Sequence, residues 1–101
     1  MSDAIEIIQY KLNEGVRPAD YLEANKAVTE WAKALPGFKF HTISSDDDGL
    51  WTEALYWENM DHAQGAHDRF MQDLGNGAFL PMIEHSSMSM KFGTVQVMES
   101  L

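Results

Sequence analysis

Residues 38–58 read FKFHTISSDDDGLWTEALYWE, and this stretch decides how the rest of the chain is arranged. Phe38–Ser45 and Leu50–Glu58 are rich in β-branched and aromatic side chains. Asp46-Asp47-Asp48-Gly49 between them is turn chemistry, so the stretch predicts a β-hairpin. With those four residues as the turn, Phe38 faces Trp57, Phe40 faces Leu55 and His41 faces Ala54. Alternation then places Phe38, Phe40, Leu55 and Trp57 on one face, with Lys39, His41, Ile43, Ala54 and Tyr56 on the other.

On the N-terminal side, Ala4–Leu12 (AIEIIQYKL) predicts a strand, closed by Gly15 and Pro18. A helix is expected from Pro18 to Leu35. Its apolar positions Tyr21, Ala24, Val28, Trp31 and Leu35 keep to one face, Asp20 with Glu23 can form a capping box, and Pro36-Gly37 is the stop. On the C-terminal side a second helix is expected over Asp61–Leu74, with Asp61 and Gln64 as its capping box. Ala63, His67, Phe70 and Leu74 form its inner stripe, while His62, Arg69 and Asp73 lie outward. A short helical turn broken at Pro81 is expected within Phe79–His85, and Ser87–Met98 reads as the last strand, with Met88 and Met90 on one face.

The order β-α-β-β-α-β predicts one α+β domain over residues 1–101: a ferredoxin-like, four-stranded antiparallel sheet with both helices on one face. Two helices cover one sheet face only. The strand LWTEALYW carries aromatic residues on both of its faces, and the first strand carries isoleucines on both. A second copy of the chain packed sheet to sheet is the economical cover, so a homodimer is expected.

The 101 residues are 45% hydrophobic and 23% charged, ordinary for a globular domain that buries roughly 60–70% of its unfolded surface. Seven basic against sixteen acidic side chains give a net charge of −9, which argues against nucleic-acid and membrane-surface partners. The absence of cysteine removes disulfides, thiolate metal sites and thiol nucleophiles. With no signal-like start and no long apolar run, a cytoplasmic location is expected.

Signatures of nucleophilic hydrolases, nucleotide binding and HExxH metal sites are absent. Asp46–Asp48 lacks the convergent oxygens a calcium ion needs and reads as a solvated turn. His62 and His67 sit on different sides of a helix, and neither His41 nor His85 has an evident ligand partner, so no metal site is expected. The constellation with chemical content is Trp57, ending a strand, with His67 on the helix packed over that face. Together they can line a cavity with an aromatic wall and a proton-transfer group. The same two residues also fit a plain core tryptophan beside a buried histidine. Tyr10 and Tyr56 offer hydroxyls to a phenolic ligand or, equally, pack across strands.

Leu35-Pro36-Gly37-Phe38, then Tyr56-Trp57-Glu58-Asn59 leading into Ala66-His67, resembles the antibiotic biosynthesis monooxygenase family. Phe79-Leu80-Pro81-Met82 and Val95-Gln96-Val97 also fit its layout, and the likeness runs from Ile5 to Met98. The resemblance implies a dimeric α+β barrel and, among its activities, oxygenation of quinol- or anthrone-like aromatics without a bound cofactor. There His67 would be the catalytic proton acceptor or anion stabiliser and Trp57 would stack on the substrate, with Tyr56, Tyr10 and His41 as further substrate-binding candidates. Two other readings stand beside it: a non-catalytic dimeric module that binds a small apolar or aromatic molecule or serves interaction with another protein, and haem binding and degradation. The haem branch also carries an asparagine on the first strand, where this chain has only Gln9 as an amide.

Overall fold

A computed structural model describes residues 2–100. Its elements are β1 (Ala4–Leu12), α1 (Pro18–Lys33), β2 (Phe38–Ser45), β3 (Trp51–Trp57), α2 (Met60–Leu74), a 3-10 turn (Leu80–Met82) and β4 (Ile83–Thr94). The strands form one antiparallel sheet in the order β2-β3-β1-β4, which is the ferredoxin-like arrangement. Among the described residues, no helix is long and apolar enough to cross a membrane.

The helices differ from expectation mainly at their ends. Pro18 occupies the first turn of α1, Arg17 precedes it, and Asp20 pairs with Arg17 at 2.9 Å instead of forming a capping box. The helix stops at Lys33, short of Leu35, because a residue before proline is pushed out of the helical region. Asn59, not Asp61, caps α2, its Oδ1 accepting from the His62 backbone N–H at 2.9 Å. Gly37 adopts a left-handed φ of +83°, and a Cβ there would meet the His62 ring at 2.6 Å, so glycine is required at this crossing.

The hairpin register departs from expectation, and the departure positions the site. The loop takes five residues, Asp46–Leu50, so that Ser45 faces Trp51 and His41 faces Leu55. Asp46 Oδ1 accepts from the backbone N–H groups of Asp48 and Leu50, both at 2.9 Å, which builds that longer loop. A bulge at Lys39 then restores Phe38 to Trp57 while leaving Phe40 opposite Tyr56. A one-residue slip flips every side chain. His41 and Ile43 therefore face the helices, whereas Phe40 lies on the open sheet face, stacked on Tyr56 with ring centroids 4.2 Å apart.

β4 begins at Ile83 and ends at Thr94, four residues earlier at each end than Ser87–Met98. Its first pairs, Leu12 with Ile83 and Lys11 with Glu84, are followed by a bulge before Gln9 meets Ser89. Ser87 Oγ spans the bulge, accepting from Lys11 N at 2.8 Å and donating to Glu84 O at 2.6 Å. The polar run EHSS disguises this part of the strand in the sequence.

The core lies between the helices and the inward strand positions. Tyr21, Val28 and Ala32 of α1 and Ala63 and Ala66 of α2 pack over Ala4, Tyr10, Leu55 and Trp57. The small residues of α2 let that helix sit close to the sheet. The opposite face carries half-buried Ile5, Ile7, Ala54 and Tyr56 with Phe40 at 41% exposure.

Candidate active site

β1 and β3 each carry one glutamate at an inward position among apolar neighbours: Glu6 between Ala4 and Ile8, Glu53 between Trp51 and Leu55. Both are buried, at 6% and 5% exposure. Above them, between α1, α2 and the 3-10 turn, lies a cavity of about 350 Å3. Its walls are apolar and aromatic, from Val28, Trp31, Leu55, Phe70, Phe79 and Ile83, with Met71, Met88 and Met90 beside them. Among the described residues, its ionisable groups are Glu6, Glu53, His67 and His85, and no lysine or arginine lines it.

His67 reaches across from α2 so that Nδ1 lies 3.0 Å from Glu6 Oε2. A carboxylate only accepts, so Nδ1 carries the proton and the lone pair is on Nε2. The ring meets Phe92 edge-on at 5.5 Å, and the side chain is 44% exposed. Burial raises the Glu6 pKa above the usual carboxylate value, the charge of Glu53 adds to that rise, and His67 opposes it.

Glu53 is held differently. Its Oε2 accepts from Tyr10 Oη at 2.6 Å and Tyr21 Oη at 3.4 Å. Its Oε1 faces His41 Nε2 at 2.7 Å and Asn25 Nδ2 at 3.3 Å. Tyr21 and Tyr10 hydroxyls touch each other, and Thr29 Oγ1 lies 2.8 Å from His41 Nδ1, so one network ties α1 to β1, β2 and β3. Burial, and then the neighbouring Glu53 charge, push the Tyr10 and Tyr21 phenols far above their ordinary range, which keeps both as donors. His85 is fixed by its Nε2, which donates to the Leu80 carbonyl at 2.9 Å.

The sequence-predicted residues therefore separate. His67 lines the cavity. Trp57 does not: it is fully buried, edge-on to Phe38 at 5.5 Å, with its Nε1 unpartnered, so the pairing of Trp57 with His67 in one wall gives way to Glu6 with His67. Tyr10 and His41 stand behind Glu53, one layer from the cavity, and Tyr56 lies on the other face of the sheet. The residues missed were Glu6 and Glu53. Their signal was present, since each is a charge at an inward step of an otherwise apolar alternation. Among the described residues, no group of three His, Asp or Glu side chains is placed to hold a metal ion.

No protein-family model and no curated protein matches the chain. Solved structures do. SnoaB, a cofactor-independent oxygenase from Streptomyces nogalater, aligns over 100% of this chain and 98% of its own at 16% identity and a TM-score of 0.62. The ActVA-Orf6 monooxygenase of Streptomyces coelicolor, solved with nanaomycin D, aligns over 99% and 93% at 18% identity and a TM-score of 0.67. The haem degrader MhuD of Mycobacterium tuberculosis, solved with two haems in its active site, aligns over 96% and 99% at 12% identity and a TM-score of 0.77. The chain thus shares the ferredoxin-like fold of these proteins, a fold also found in a putative antibiotic biosynthesis monooxygenase of Chloroflexus aurantiacus.

Proposed function

We propose that the chain is a cofactor-independent monooxygenase of a small, electron-rich aromatic molecule. The observation that carries this reading is the His67–Glu6 pair beside an apolar, aromatic-walled cavity. His67 Nε2 takes an acidic proton from the substrate, and Glu6 holds the imidazolium that results. The imidazolium balances the anion, and the apolar walls keep water from it. The substrate anion passes one electron to dioxygen. The two radicals combine into a peroxide, which takes the proton back; the same carbon then loses its second hydrogen as the O–O bond breaks, releasing water and leaving a new carbonyl. One oxygen atom of O2 ends in the product and the other in water. Two proteins of this fold, SnoaB and the ActVA-Orf6 protein, are oxygenases, which supports the reading.

The open sheet face, with Ile5, Ile7, Phe40, Ala54 and Tyr56, is the surface a second copy of the chain would cover. Haem fits the cavity poorly. Propionates buried in it would meet Glu6 and Glu53, and among the described residues no lysine or arginine lines the cavity.

Oxygen uptake with 1,8-dihydroxyanthrone tests the proposal. The protein should convert this probe to the anthraquinone, and His67→Ala should lower the rate by about 100-fold or more in a variant that still unfolds cooperatively in urea. Equal oxygen uptake by the variant would overturn the role of His67.

A further inference from the structure

The charge balance of the cavity carries an inference about its ligand. Both carboxylates are more than nine-tenths buried, and the groups that face them are imidazoles, phenols and one amide, with no fixed cation. Glu53 has protein donors on both oxygens, Tyr10 on Oε2 and His41 and Asn25 on Oε1, which leaves its charge as its main contribution. Glu6 is different: Oε2 faces His67, while Oε1 takes no hydrogen bond from the described residues. Covering these carboxylates with a neutral apolar ligand would remove water from them without compensation, and an anionic ligand would be worse still. A cation reverses both penalties, and the aromatic rings of Trp31, Phe70 and Phe79 line the same cavity.

We propose that the ligand of this cavity is an aromatic molecule bearing a protonated amine, with the ammonium on Glu6 Oε1 and the ring among Trp31, Phe70 and Phe79. This deepens the proposed function by naming a substrate class, and it rests on the reading that this cavity is the substrate site. The net charge of −9 also draws cations toward the molecule.

The test uses three probes of nearly equal size: 2-naphthylmethylammonium, 2-naphthylmethanol and 2-naphthoate. Each is titrated at pH 8, above the ordinary range of imidazole ionisation, following tryptophan fluorescence, since Trp31 lines the cavity. The ammonium should bind about tenfold more tightly than the alcohol, with the carboxylate weakest. In Glu6→Gln the advantage of ammonium over alcohol should shrink to about twofold. Equal affinity for ammonium and alcohol, preference for the carboxylate, or an advantage that survives Glu6→Gln overturns the amine assignment. The wild-type order decides the matter alone if the variant does not fold. If the alcohol binds as well as the ammonium and the anthrone is turned over, the amine assignment fails and the oxygenase reading stands. If no probe binds saturably, the cavity is not a ligand site and both fall.

Discussion

Two carboxylate–imidazole pairs stand on the same sheet face, and they are built to opposite specifications. Glu53 and His41 are sealed: the histidine side chain is 2% exposed, and both of its ring nitrogens and both carboxylate oxygens have protein partners. Glu6 and His67 are open: the histidine side chain is 44% exposed, and one carboxylate oxygen and one ring nitrogen have no partner among the described residues. A saturated buried network fixes geometry, because every broken contact leaves a polar group stranded. An unsaturated pair at a cavity retains capacity to bind or move a proton. The same two residue types thus form a sealed network in one place and an open pair in the other, and the number of unused lone pairs separates them.

The largest effect that would break this contrast is on stability. Glu53→Ala strands Tyr10, Asn25 and His41, and should cost about 3–5 kcal/mol in urea unfolding. A loss below about 1 kcal/mol would mean that the sealed pair is not a structural keystone. Alkaline titration comes next. The folded pKa values of Tyr10 and Tyr21 lie above the unfolded value of about 10. Their contribution is therefore complete below pH 10 and is lost as pH rises beyond it, by about 1.4 kcal/mol per pH unit for each phenol. Phenolate absorbance from these two residues should appear together with loss of the far-UV circular dichroism. Ionisation of both near pH 10 in a protein that keeps its fold would contradict the network.

The smallest effect sharpens the open pair. The pKa of Glu6 is raised from 4.5, so its ionisation weakens the fold as pH climbs through the folded value. Glu6→Gln stays neutral, and should unfold a few degrees higher than wild type at pH 7, with the difference vanishing near pH 4. A lower melting temperature at pH 7 would show that the His67 bond outweighs the burial of the charge.

Much of this molecule is written in local pattern. Ala4–Leu12 and Phe38–Ser45 alternate and branch as strands must, and Pro36-Gly37 and Gly75-Asn76-Gly77 punctuate as helix stops must. The order β-α-β-β-α-β followed, and with it the sheet and its two covered or open faces. His67 was also legible, as an ionisable residue on an inner helical stripe. The sequence by itself therefore determined the elements and their order, and it singled out His67, which lines the cavity. Only the tertiary structure decided which residues stand beside it. Five loop residues where four were expected, and one bulge at Lys39, turned His41 toward Glu53 and Phe40 away from the core. The pairing of Glu6 with a histidine 61 positions later required α2 to dock over β1. Periodicity reports which face a residue occupies, but register and contact depend on loop length, bulges and partners distant in the chain, and no local pattern encodes those.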